Sequence, residues 1–174
     1  MTAIGQPVRV VAPYHSKNGW TELIRVQVQA ARIAGEHISA SALKRVLDSV
    51  DRACALPAKP GWERKAAAHA ELFRLLADVA GGPVTSGAAG GQARLIRDLM
   101  CAVGPGANGM ISSSRRRLID QLRAGDADGA ALEMEYHLRT LRYMWLLTQP
   151  SGLTAHQSTT TVRADPAIPS KRGH

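Results

Sequence analysis

The sequence predicts an all-α protein, an antiparallel bundle of about six helices. Three observations carry this. Apolar residues recur every three or four positions in six separate stretches. Gly, Pro or a capping residue punctuates each stretch. The connections are short, and no solenoid repeat is present.

Residues 1–16 read as an extended arm, because Val8-Arg9-Val10-Val11 is β-branched and Pro13 follows. Asn18 is the candidate cap of a first helix beginning near Gly19 and ending near Gly35. Ile24 to Gln29 alternates like a strand, but Trp20, Leu23, Ala30, Ala31 and Ala34 form a helical stripe, and the helix is preferred. Ser39 or Ser41 caps the second helix, with Leu43, Val46, Leu47, Val50 and Cys54 on its apolar face; Pro57 and Pro60 stop it. The third helix runs from about Trp62 to Ala80. Residues 81–91, rich in Gly, Ser and Ala, read as a flexible connection, followed by a short fourth helix holding Leu95, Leu99 and Val103. Ser112 to Ser114 are candidate caps of the fifth helix. Gly125 ends it, and Asp126 caps the sixth, whose stripe is Ala131, Met134, Leu138, Leu141 and Trp145. The domain therefore spans 17–149, and residues 150–174, rich in Ser, Thr and Pro, read as a disordered tail.

Composition excludes several classes. The 174 residues suit one domain, and no apolar run reaches the length of a membrane span. No signal peptide is recognisable, and Cys54 and Cys101 make neither a disulfide framework nor a zinc site, so a cytoplasmic protein is expected. The net charge of +8 points toward acidic partners. Arg163, Lys171 and Arg172 against Asp165 give the tail +2, which leaves +6 on the rest. The one dense run, Arg115-Arg116-Arg117, fans out by about 100° per residue and makes no stripe. No nucleic-acid recognition motif accompanies it.

Chemistry-bearing residues are few. Gln92-Ala93 follows the glycines of 81–91 where a phosphate loop needs Lys-Ser or Lys-Thr. No nucleophile elbow occurs, so no enzymatic activity is expected. His69 borders the apolar face of the third helix, one turn before Phe73. His137 borders that of the sixth, with Glu133 one turn before it. Two histidines on inward edges of different helices suit a metal or a carboxylate ligand, but two alone leave a metal's coordination open.

Three segments are similar to one known family. They are Leu72-Phe73-Arg74-Leu75-Leu76 running to Gly81-Gly82-Pro83, Arg117-Leu118-Ile119-Asp120-Gln121-Leu122-Arg123-Ala124-Gly125-Asp126, and Met134-Glu135-Tyr136-His137-Leu138. Together they resemble the FCD domain, the C-terminal effector-binding domain of GntR-type bacterial transcription regulators, over roughly residues 20 to 148. The resemblance implies a homodimeric helical bundle that binds small organic acids. In many members it implies a divalent metal held by an aspartate and three histidines. Carried over by position, those ligands fall on His69, Phe73, Arg115 and His137. Only His137 retains a ligand of the family's kind, so no metal cofactor is expected. An inward Arg115 would instead hold a carboxylate through its guanidinium, making His69, Phe73, Arg115 and His137 the candidate effector pocket. About 16 residues precede the first helix, so no winged helix-turn-helix is expected within this chain and DNA contact would be indirect or weak. Two other readings remain: a protein that binds DNA non-specifically, and a small metal-binding helical protein using His69 and His137.

Overall fold

A computed structural model describes residues 17–81 and 83–149, with side chains at 19–81 and 91–149; the arm and tail expected at the two ends lie outside the described residues. Among the described residues six helices follow one another: α1 (Lys17–His37), α2 (Ala40–Ala55), α3 (Trp62–Gly81), α4 (Pro83–Val103), α5 (Asn108–Ala124) and α6 (Ala127–Thr148). A 3₁₀ turn, Pro105–Ala107, leads into α5. No strand occurs among the described residues.

Helix wins over strand in α1 because its buried residues are Trp20, Leu23, Gln27, Ala30, Ala31 and Ala34, a stripe of threes and fours. Gln27 breaks the apolar pattern but not the stripe, since its amide donates to Gln92 Oε1 at 2.7 Å. Helix α1 begins at Lys17, so Asn18 lies inside its first turn rather than capping it. Ser39 does cap α2, its hydroxyl accepting from the Ala42 amide at 3.2 Å. The α2 face is turned slightly from expectation. Ala42, Val46, Ser49, Val50 and Ala53 are buried, and Leu43, Leu47 and Cys54 flank them.

Two further expectations fail. The stretch 81–91 is not a flexible connection. Helix α3 extends to Gly81, and the glycine-rich segment is helical from Pro83 onward. Proline at a first helical position forfeits no hydrogen bond, and the extension gives α4 21 residues to lie along the 20 of α3. Ser112 to Ser114 cap nothing, because α5 already begins at Asn108.

Neighbouring helices run antiparallel. The Trp62 indole at the start of α3 donates to the Met100 carbonyl at the end of α4, at 2.8 Å. Trp20 at the start of α1 meets Trp145 near the end of α6, with ring centroids 6.1 Å apart. The other end of that pair is closed by Gly35 against Ala127. Gly125, with φ of 68°, turns α5 into α6, and Asp126 caps α6 by accepting from the Gly129 amide at 2.8 Å. All five residues of the expected α6 stripe are buried. Lys65 is buried too: its ammonium donates to the carbonyls of Cys54 and Leu56, which end α2.

The contact of α1 with α6 is close enough to test. A Cβ on Gly35 would stand 2.6 Å from the Ala127 Cα and 3.0 Å from its amide nitrogen, both backbone atoms. Gly35→Ala is therefore expected to destabilise the fold by about 1–3 kcal/mol despite alanine's helix propensity, as read by urea denaturation.

Candidate functional site

The bundle interior holds a cluster of polar residues. Helix α3 contributes His69 and Phe73, one turn apart, α5 contributes Arg115, and α6 contributes His137. The structure brings all four sequence-predicted residues together, each 1% exposed or less. The Arg115 guanidinium lies over the Phe73 ring, 4.3 Å from its centroid. Phe73 also meets the His137 imidazole, with centroids 5.9 Å apart and planes tilted by 44°. His69 lies close enough to Arg115 and His137 that a positive charge on either disfavours a proton on its ring.

Helix geometry explains the fate of the arginine run. Arg115 turns into the core, Arg116 faces solvent, and Arg117 turns to α6. There Arg117 donates to both oxygens of Glu133, at 2.9 and 2.8 Å, and lies over the Tyr136 ring. Ser114 completes this group, its buried hydroxyl donating to Glu133 at 2.7 Å. Nothing in the sequence pattern signals that Ser114–Glu133 contact. The buried Lys65, one turn before His69, was equally hidden, since lysine is rarely buried.

Electrostatics follow from burial. Desolvation, aided by the positive charges of Arg115 and Lys65, lowers the His69 pKa to about 3. Burial likewise pushes His137 well below its ordinary value, and Arg115 and His69 add to the effect. Both imidazoles are therefore neutral at pH 7. Burial lowers the Arg115 pKa to about 9, with Cys54 and Glu133 acting against it, so the guanidinium remains charged at pH 7. Arg115 Nε and Nη2, and both ring nitrogens of His69 and of His137, are buried without a hydrogen-bond partner. Such groups ordinarily have one.

These residues do not fit the metal site that the resemblance implies. Phe73 offers no donor atom, and a buried guanidinium already supplies positive charge where a cation would have to sit. No group of three or more His, Cys, Asp or Glu among the described residues is placed to hold a metal ion. An open groove of about 450 Å³ lies elsewhere, on the outer side of α3 and α4. It is lined by Glu63, Arg64, Ala67, Arg97, Asp98 and Cys101 and touches none of the four core residues.

The neutral histidines have a pH signature. Their folded pKa values lie below the ordinary 6.5, so the unfolded chain binds more protons in the window between. Stability is then full above pH 6.5 and falls as pH drops toward about 3. Each histidine contributes a slope approaching ~1.4 kcal/mol per pH unit inside that window. His69→Asn or His137→Gln should flatten the acid limb by about that slope, as measured by denaturant titrations between pH 4 and 7.

Comparison with known proteins agrees with this architecture. No described helix is long and apolar enough to cross a membrane. No curated protein and no solved structure matches the chain. The family model of the FCD domain matches residues 24–140, from the first turns of α1 to the middle of α6. The chain therefore belongs to the FCD domain family, the effector-binding domains of GntR-type regulators.

Proposed function

We propose that this chain is a ligand-sensing regulatory domain. In this reading it holds a small carboxylate on Arg115 without a metal ion, acts as a homodimer, and performs no catalysis. The observation that carries the reading is the set of unpartnered nitrogens on Arg115, His69 and His137. A buried charge without a counter-charge is costly. A carboxylate supplies the missing charge and accepts from Nε and Nη2 of the guanidinium in a bidentate manner. Each neutral imidazole adds one N–H donor and one acceptor nitrogen. A hydroxyl on the ligand would satisfy that acceptor, so hydroxy acids suit the cluster better than plain acids. The four residues are closed to solvent, so the ligand gains access only when side chains or helices move apart.

Surface charge favours this reading over non-specific DNA binding. Arg25, Arg32, Arg74, Arg97, Arg117, Arg123 and Arg139 all lie against carboxylates of their own chain, as does Lys44. Much of the basic charge is thereby met internally rather than presented as a phosphate-binding stripe. Contact with DNA is then indirect, through whatever segment or partner carries a DNA-reading head.

The test is a thermal-shift screen of small carboxylates and hydroxy acids, run with and without a chelator. A true ligand at a hundred times its Kd adds ~2.7 kcal/mol, on the order of 5–10 °C for a chain of this size. The shift is expected to survive the chelator and to vanish in Arg115→Met, which keeps the volume but loses the charge. Equal stabilisation of Arg115→Met, or a shift abolished by the chelator, overturns the proposal. Without ligand, Arg115→Met should be more stable than the natural chain by about 1–4 kcal/mol, because it removes an uncompensated buried charge.

A further inference from the structure

Helix α6 buries one face and leaves the other uncovered. Leu132, Tyr136, Tyr143 and Leu147 are 67, 55, 63 and 68% exposed, with Leu146 beside them at 49%. Single exposed apolar residues are normal, but these share one helix. Their separations of four, seven and four residues place them on one stripe.

The stripe is also a palindrome. Read in either direction along α6, the order is leucine, tyrosine, tyrosine, leucine at the same spacings, about a midpoint between Arg139 and Thr140. A two-fold interface requires a surface that complements itself under rotation, and an antiparallel pair of identical helices converts such a palindrome into matched contacts. We infer that the exposed face of α6 packs antiparallel against α6 of a second copy of this chain, about a two-fold axis beside Arg139 and Thr140.

In that arrangement Leu132 of one copy meets Leu147 of the other, and Tyr136 meets Tyr143. Arg139 lies near the centre of the stripe, tethered to Glu135 and largely exposed. Across the axis its guanidinium falls between the opposing tyrosines, a cation–π setting common in interfaces. The five apolar side chains expose on the order of 500 Å² per copy, so pairing removes on the order of 1,000 Å², near the floor for a specific interface. The inference rests on the homodimer proposed above and assigns its surface.

Sedimentation equilibrium of the full chain gives the first readout. The natural chain is expected at twice 18.6 kDa, and the double variant Tyr136→Lys with Tyr143→Lys at 18.6 kDa. Helical circular dichroism and a retained carboxylate thermal shift in that variant show that the fold and the Arg115 cluster are intact. They also separate failure of this interface from failure of the ligand reading. A single-copy mass for the natural chain at high concentration, as when another segment of the chain covers the face, overturns the inference. A variant that remains dimeric overturns it as well. Oxidative cross-linking is the second readout. Thr140→Cys is expected to join two copies, whereas Leu147→Cys, whose two positions lie on the order of 20 Å apart in the antiparallel pair, is not. Cross-linking of both to the same extent indicates parallel packing and overturns the proposal.

Discussion

A guanidinium in the middle of a helical bundle is the constraint around which the interior is arranged. Arg115 has lost its water, and what it receives in exchange is the face of Phe73 at 4.3 Å. The same positive charge acts on its neighbours. It adds to burial in keeping His69 and His137 neutral, so the four-residue cluster holds one charge and two uncharged imidazoles rather than three cations. The aromatic ring thus touches both the charge and one of the imidazoles that the charge holds neutral.

The surrounding helices make such an interior tolerable by fixing it from several directions. Helix α3 meets α4 through the Trp62 indole, α1 meets α6 through paired tryptophans at one end and Gly35 at the other, and Lys65 ties α3 to the end of α2. None of these contacts includes the four core residues. One continuous hydrophobic core, to which Phe73 belongs, surrounds the polar groups of the cluster. The contacts that join the helices and the polar groups of the cluster are thus carried by different side chains.

Periodicity made most of the architecture legible in the sequence. The α6 stripe, the Ser39 and Asp126 caps and the Gly125 turn were all readable, because each depends on residues within one helix or one turn. The same rules misread the stretch 81–91 and Ser112 to Ser114. Glycine content argues for a loop only when nothing longer-ranged opposes it, and here a helix of matching length lies alongside. Of the cluster, the positions of His69 and His137 on inward edges were legible from spacing alone. The inward turn of Arg115 was not, because one turn of an arginine run contains every direction. Lys65 and the Ser114–Glu133 contact depend on where separate helices meet, which local pattern does not encode.

Glu133 shows why the buried charge stays uncompensated from within the protein. It is the carboxylate whose charge acts on Arg115, yet its oxygens accept from Ser114 and twice from Arg117. Those bonds hold the carboxylate to Ser114 and Arg117, so its charge favours the buried guanidinium without a hydrogen bond between them. Arg117, half-exposed and steadied against Tyr136, satisfies Glu133 from the outside instead. Two arginines that are neighbours but one in the sequence therefore have opposite electrostatic roles. One meets the local carboxylate at the surface, and by doing so leaves the donors of the other free inside. A run of like charge in the sequence is resolved by helix geometry into a met charge, a solvated charge and an unmet one. The unmet charge, rather than the net charge of the chain, is what the proposed carboxylate would answer.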